Sequence, residues 1–141
     1  MSFQENETKK YTDFSIEEIE TYLSTLIDLI EKGRFSIALN ENRQENVEFM
    51  EDFNISSQKA KEILLSLEVM DFCYAADNLN PKFAHEKLYI FCKEVGLDNR
   101  GTFERVDIYV KSNLTTTRRG DNFLFIVSFH QRNNPITYCF K

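Results

Sequence analysis

The sequence predicts an α+β domain in which helices come first and a small antiparallel sheet comes last. Apolar residues recur at helical spacing in the first half of the chain and alternate with polar residues from residue 86 onward. The 141 residues suit one ordinary domain, and no repeat, low-complexity tract or linker divides them. We therefore expect N-terminal helices packed on a C-terminal sheet in a single domain over residues 15–141, preceded by a flexible tail over residues 1–14.

The first helix is expected to cover residues 15–32 and to be the longest. Ser15 and Glu18 have the spacing of a capping box, in which each side chain accepts a hydrogen bond from the other residue's backbone N–H. Gly33 supplies a C-terminal stop. Ile19, Leu23, Leu26 and Ile30 should pack on the sheet. The full set of apolar residues at helical spacing is Ile16, Ile19, Leu23, Leu26, Ile27 and Ile30.

Two shorter helices are predicted to follow. Asn40 or Asn42 is a candidate N-cap for the second helix, and Ser56 or Ser57 for the third. Residues 35–38 are too few to classify and are expected to form a strand or a loop packed on the first helix. After Asp71 the pattern changes, and the Asn- and Asp-containing residues 77–80 before Pro81 indicate a loop.

Four strands are predicted in the second half of the chain. Residues 86–95 and 104–113 alternate in polarity around a turn at residues 98–101, and should form a hairpin. Residues 104–113 should also pair with residues 122–130, which are apolar on nearly both faces, as in a central strand. A last short strand is expected over residues 136–140.

Composition limits the classes of function. No apolar run approaches a membrane span, and the N-terminus lacks the order of a signal peptide. The three cysteines have no Cys-x-x-Cys spacing, so a reducing cytoplasm fits better than a disulfide framework. With only His85 and His130 as histidines, we expect no metal site and no cofactor.

The charge is divided along the chain. Residues 1–80 carry 7 Lys/Arg and 17 Asp/Glu, whereas residues 81–141 carry 10 and 6, so a net −10 precedes a net +4. A basic half on an acidic protein is typical of a surface that binds a polyanion such as nucleic acid. The acidic half supports a second hypothesis, a non-catalytic binding module, phage- or plasmid-encoded, that inhibits or regulates a partner.

Several segments together resemble the MqsR family of mRNA interferase toxins. The strand segments are Leu88-Tyr89-Ile90-Phe91, Asp107-Ile108-Tyr109-Val110-Lys111 and Ile126-Val127-Ser128-Phe129-His130. Upstream, Leu64-Leu65-Ser66-Leu67 and Asp71-Phe72 are similar to the family's Leu-Ser helix and Asp-Phe step, and residues 35–40 lie where the family leaves its first helix. The pieces occur in the family's order over residues 16–141.

The resemblance implies a RelE-like fold and metal-independent, sequence-selective cleavage of mRNA by the toxin of a type II toxin–antitoxin pair. It also implies a cognate antitoxin, expected to be a DNA-binding protein, and no membrane partner. One departure affects activity. Many members place a Lys just after the Asp-Phe step, where this chain has Cys73-Tyr74-Ala75, and Lys82 lies across a loop. If that Lys is required, this chain is altered or inactive.

Cleavage of RNA without a metal needs a base for the 2′-OH proton, cations for the phosphorane charge and an acid for the leaving oxygen. Tyr109 and Lys111 leave the same strand face, and His130 ends the next strand. We expect His130 as general acid or base, Lys111 as electrostatic stabiliser and Tyr109 as hydrogen-bond donor. The expected RNA-binding residues, for phosphates or base stacking, are Lys87, Tyr89, Arg105 and Arg132.

Each candidate also has a structural interpretation. Tyr109 suits a half-buried sheet position, and Lys111 and Arg105 suit a solvent-facing one. His130 suits a capped strand end. Cys92 suits the core, and Arg118 and Arg119 a solvated turn.

Overall fold

A computed structural model describes residues 9–40, 43–83 and 85–141. These residues form three α-helices and six β-strands, which confirms a mixed α and β composition compatible with the α+β class. The helices are α1 (Ile16–Glu31), α2 (Gln44–Asp52) and α3 (Ser57–Leu65). The strands are β1 (Lys10–Tyr11), β2 (Phe35–Ile37), β3 (Phe72–Asp77), β4 (Lys87–Asn99), β5 (Thr102–Thr116) and β6 (Asn122–Gln131).

The six strands form one sheet in the order β1-β3-β4-β5-β6-β2. The predicted pairing of β4 with β5 and of β5 with β6 is confirmed, and both pairs are antiparallel. Arg100 and Gly101 form the β4–β5 turn with positive φ angles of 53° and 93°, the combination required at the centre of a type I′ turn. This turn sets the register in which Cys92 pairs with Tyr109, and Tyr109 pairs in turn with His130 on β6.

Three features of the sheet differ from the prediction. β3 was not predicted, because a register shift between Phe72 and Tyr74 interrupts the alternation by which a strand is recognised; it meets the expected loop over residues 77–80 only at Asp77. β2 pairs with β6 in parallel, so the sheet is mixed. The expected strand over residues 136–140 is wrong: this segment forms no strand, although Cys139 N–H donates to the Phe72 carbonyl at 2.9 Å.

The helix caps show why the helices begin where they do. The capping box of α1 is confirmed, with Glu18 N–H donating to Ser15 Oγ at 3.1 Å and Ser15 N–H to Glu18 Oε1 at 2.8 Å. Ser56 caps α3 by accepting from Lys59 N–H at 3.0 Å. α2 instead begins after Arg43, whose N–H donates to the Asn40 carbonyl in a preceding turn. Asn42 lies outside the described residues.

One apolar cluster joins the helices to the strands. α1 contributes the predicted residues Ile19, Leu23, Leu26 and Ile30, all buried. Alternate β5 residues Val106, Ile108 and Val110 belong to the same cluster. Tyr22 of α1 adds a polar contact, because its Oη lies 2.8 Å from Ser112 Oγ. The intervening β5 residues therefore face the other side of the sheet.

Part of the predicted N-terminal tail belongs to the sheet. Residues 1–8 lie outside the described residues, but Lys10 and Tyr11, which the sequence assigns to the tail, pair with Ala76 and Ala75 of β3. Tyr11 also donates to Asp77 Oδ2 at 3.1 Å. Within the described ranges, no helix has both the length and the apolar character needed to cross a membrane.

Candidate active site

A cleft of about 1180 Å³ lies over the sheet face opposite Val106, Ile108 and Val110. Its floor consists of side chains from β3, β4, β5 and β6, and its walls come from the start of α2, from residues 78–80 with Phe83, and from residues 133–136. Tyr109, Lys111 and His130, the three predicted catalytic residues, all line this cleft.

Strand pairing accounts for their convergence. Tyr109 pairs directly across from His130, and the two rings stack with centroids 5.5 Å apart and planes 24° apart. Lys111 is two residues further along β5 on the same face, and its Nζ lies 6.0 Å from the centre of the Tyr109 ring. The predicted juxtaposition of an imidazole, a phenol and an ammonium group is therefore present.

The hydrogen bond of His130 defines its neutral tautomer. Nδ1 lies 2.8 Å from the Gln131 carbonyl oxygen, which can only accept, so Nδ1 carries the hydrogen. In the neutral ring, Nε2 then holds the lone pair. Nε2 lies 3.9 Å from Glu45 Oε1, which can attract the ring once it is protonated. This geometry suits a group that takes up a proton and later releases it.

Lys111 is a half-buried cation with no counter-ion among the described residues. Burial lowers the pKa of its ammonium group, and the nearby positive charge of Arg43 lowers that pKa further. Over residues 9–40, 43–83 and 85–141, neither cation forms an ion pair, since no carboxylate lies within 4.0 Å of either. Two like charges held at one cleft favour an anion such as a phosphate between them.

Tyr109 is held as a neutral phenol. Burial raises its pKa far above the usual value of 10.0, and a hydrogen bond with Tyr74 acts in the same direction. The two hydroxyl oxygens are 3.3 Å apart. Because the proton stays on Tyr109 at neutral pH, this hydroxyl can donate a hydrogen bond to a phosphate oxygen.

The four predicted RNA-binding residues do not line the cleft. Tyr89 packs against the apolar cluster that contains Tyr22 of α1, and its ring stacks on the Tyr22 ring with centroids 3.9 Å apart. Neighbouring strand residues face opposite sides, so Tyr89 could not share a face with Leu88 and Ile90, which do line the cleft.

Ion pairs hold the other three. Lys87 bridges to Asp77 at 3.2 Å, Arg105 to Glu94 at 2.9 Å and Arg132 to Asp107 at 2.9 Å. In these positions the three cations already have carboxylate partners. Lys111 and Arg43 are therefore the better candidates for contact with a phosphate.

Sequence reasoning missed three cleft residues: Arg43, Tyr74 and Asn113. The sequence could have predicted Asn113, because it lies two residues beyond Lys111 and so leaves the same strand face as Tyr109 and Lys111. Arg43 and Tyr74 come from other parts of the chain, and no local pattern connects them with β5.

Tyr74 belongs to the segment Cys73-Tyr74-Ala75, in which the sequence resemblance leads us to expect a Lys. It lines the cleft, whereas Cys73 is buried and Lys82 lies in the exposed turn Pro81–Phe83 outside the cleft lining.

No known protein family, curated protein or solved structure matches the chain.

Proposed function

We propose that this protein is a metal-independent endoribonuclease that cleaves mRNA, acting as the toxin of a toxin–antitoxin pair. The observation that carries the proposal is the convergence of Tyr109, Lys111 and His130 on one cleft. The resemblance to MqsR-family toxins adds the mRNA substrate, the sequence selectivity and the antitoxin. It also adds a RelE-like arrangement, with the helices packed on the C-terminal sheet. The cysteine pattern favours a cytoplasmic protein.

The proposed reaction begins at His130. Its Nε2 takes the proton of a ribose 2′-OH, and the 2′-oxygen attacks the adjacent phosphorus. Lys111 and Arg43 stabilise the additional negative charge on the phosphate oxygens, and the Tyr109 hydroxyl orients one of them. The bond from phosphorus to the 5′-oxygen breaks, and that oxygen takes the proton from protonated His130, which returns to its neutral form. The products are a 2′,3′-cyclic phosphate and a 5′-hydroxyl.

Purified protein and labelled single-stranded RNA test this chemistry. We expect cleavage in EDTA, ends of the cyclic phosphate type, and no cleavage where the scissile ribose lacks its 2′-OH. His130→Ala should lower the rate about 10²–10⁴-fold, as expected for loss of a proton-transfer group. His85→Ala is the matched control, because the His85 side chain is 77% exposed and lies outside the cleft lining. Wild-type protein that leaves RNA uncut contradicts the proposal.

Growth of a bacterial host tests the toxin role. Expression of the wild-type chain alone should arrest growth, and His130→Ala or Lys111→Ala should restore it while the purified variants keep their fold. Coexpression with a cognate antitoxin should also restore growth. Arrest that persists in both variants indicates that toxicity does not come from this cleft.

An exposed acidic surface favours the alternative, a non-catalytic binding module. The acidic residues exposed on α1 and α2 are Glu17, Glu18, Glu20, Asp28, Glu31, Glu45, Glu48, Glu51 and Asp52. Such a surface can bind a basic partner, or it can bind to a nucleic-acid-binding site in place of the nucleic acid. Growth arrest without any RNA cleavage, abolished by neutralising exposed α1 carboxylates and retained in His130→Ala, would select this alternative.

A further inference from the structure

Asn113 presents a buried hydrogen-bond acceptor without a donor. The residue is 6% exposed and belongs to the lining of the cleft. Its Oδ1 is the one buried side-chain polar atom without a hydrogen-bond partner in the described portion of the chain. Buried acceptors are nearly always satisfied, so an exception beside a candidate active site indicates a missing donor.

The partners of Asn113 fix which atom is unpaired. Nδ2 lies 3.0 Å from Glu86 Oε1, which can only accept, so the amide cannot be flipped without loss of this bond. Thr115 donates to the other carboxylate oxygen of Glu86 at 2.9 Å and holds that carboxylate in place. Oδ1 is therefore the side-chain polar atom of Asn113 that has no partner among the described residues.

The surroundings suit the edge and the face of a nucleobase. Asn113 lies across from Phe125 on β6 and from Leu88 on β4, and all three residues line the cleft. A ring placed against Phe125 can stack on an aromatic surface, which every base accepts. Oδ1 exposes less than 1 Å² of surface, so a base edge reaches it by displacing the side chains that cover it.

The position along β5 fits the neighbouring nucleotide. Asn113 is two residues from Lys111 on the same strand face, a spacing of about 7 Å. This spacing is comparable with one nucleotide step along an extended single strand. A phosphate held at Lys111 would thus place an adjacent base near Asn113.

Resting on the proposed function, we propose that Asn113 reads the base next to the cleaved phosphate and selects bases with an exocyclic amine. The amine of cytosine donates a hydrogen bond to Oδ1. Uracil presents a carbonyl at the same place, so two acceptors would face each other. Glu86 is a positioning residue that holds the amide of Asn113 in the reading orientation.

Binding of RNA hexamers to the His130→Ala variant tests the inference without cleavage. We expect oligocytidine to bind about five- to tenfold more tightly than oligouridine, the effect of one hydrogen bond. Asn113→Ala, added to that variant, should bring the ratio of the two dissociation constants close to one. Asn99→Ala is the matched control, because it removes a similar amide bond, to Glu104 at 2.8 Å, at the hairpin tip. It should leave the ratio unchanged.

A modified ligand tests the same hydrogen bond if the Asn113→Ala variant does not fold. A hexamer of N4,N4-dimethylcytidine lacks the amine hydrogens and should bind the His130→Ala variant no better than oligouridine does. Equal binding of cytidine and uridine hexamers, or a preference that survives Asn113→Ala or dimethylation, overturns the inference.

The outcomes separate this inference from the nuclease proposal. RNA cleavage by the wild-type chain, together with equal binding of both hexamers, overturns only base reading by Asn113. A cytidine preference in a chain that cuts no RNA overturns only the nuclease. Absence of binding to any hexamer overturns base reading whatever the cleavage result.

Discussion

Asn46 on α2 accepts a hydrogen bond from the backbone N–H of Phe129 on β6 through its Oδ1, at 2.9 Å. Its Nδ2 donates to the carbonyls of Val127 and Ala38 at 3.0 and 2.8 Å. Val127 is the additional residue of a β-bulge, because Lys111 pairs with Ser128 while Ser112 pairs with Ile126. Asn46 thus satisfies backbone groups at the bulge and ties α2 to the strand that carries His130.

Asn46→Ala should lower both stability and activity. It leaves backbone groups at Phe129 and Val127 unpaired in a buried place, at a cost of roughly 1–3 kcal/mol for each group left without a partner. Denaturant unfolding should show the loss of stability. The kcat of RNA cleavage should also fall, because Asn46 no longer holds the β6 segment that carries His130. Gln44→Ala, which removes only an exposed contact with Glu48 on the same helix, should change neither. If a folded Asn46→Ala protein cleaves RNA at the wild-type rate, then the bulge does not position His130.

Leu23→Asp should unfold or aggregate the protein. Leu23 is buried in the apolar cluster, and burial of such a side chain is worth roughly 1.5–3 kcal/mol before the cost of an added charge. Ser24→Asp places the same charge on the exposed side of α1 and should leave the melting temperature nearly unchanged. A soluble Leu23→Asp variant with the wild-type melting temperature would show that this α1 face is misassigned.

Lys111→Met should stabilise the protein at neutral pH while abolishing cleavage. The folded protein lowers the pKa of Lys111 below its ordinary value of 10.5, so the unfolded chain binds the proton more tightly. Stability of the wild type should therefore rise as pH passes from the lowered pKa towards 10.5. The advantage of Lys111→Met should shrink over the same interval. Thermal unfolding of both proteins from neutral to alkaline pH measures it, and a Met variant less stable than wild type at pH 7 contradicts it.

Tyr74→Phe should lower cleavage about two- to tenfold, because it removes one hydrogen bond from the Tyr109 hydroxyl. Tyr109→Phe should have the larger effect, since it removes the hydroxyl that contacts the phosphate. In the double variant, the Tyr74 change should have almost no further effect on kcat. If the two effects instead multiply, Tyr74 does not act through Tyr109.

The sequence predicts those parts of the fold that depend on local pattern. The capping box at Ser15 and Glu18, the stop at Gly33 and the alternation on β5 are each a short-range signal, and each is found in the structure. The convergence of Tyr109 with Lys111 follows from alternation alone. The position of His130 does not follow from local pattern, because the bulge at Val127 shifts the register of β6. Continued from the Thr116–Asn122 pair without that bulge, the strand would place Phe129 opposite Tyr109.

The remaining features depend on contacts between distant segments. β2 has three residues and becomes a strand only because β6 lies beside it. The bulge at Val127 depends on Asn46, which is 81 residues away. Tyr89 and Tyr109 are both strand tyrosines and are alike in sequence as candidates for RNA contact. They differ because only Tyr109 lies on the sheet face that lines the cleft. Arg43 reaches the cleft from the start of α2, which no pattern on β5 could indicate.

The shortness of the two outer strands has a consequence for self-association. A sheet edge with many free backbone groups is a template for another chain, and proteins avoid this with short or covered edges. Here β1 has two residues, and β2 covers only Leu124, Phe125 and Ile126 of the ten-residue β6. Immediately beyond them, Asn46 occupies the Val127 carbonyl and the Phe129 N–H. The side chain that supports the bulge therefore also blocks the edge of β6 against pairing with a second copy of the chain.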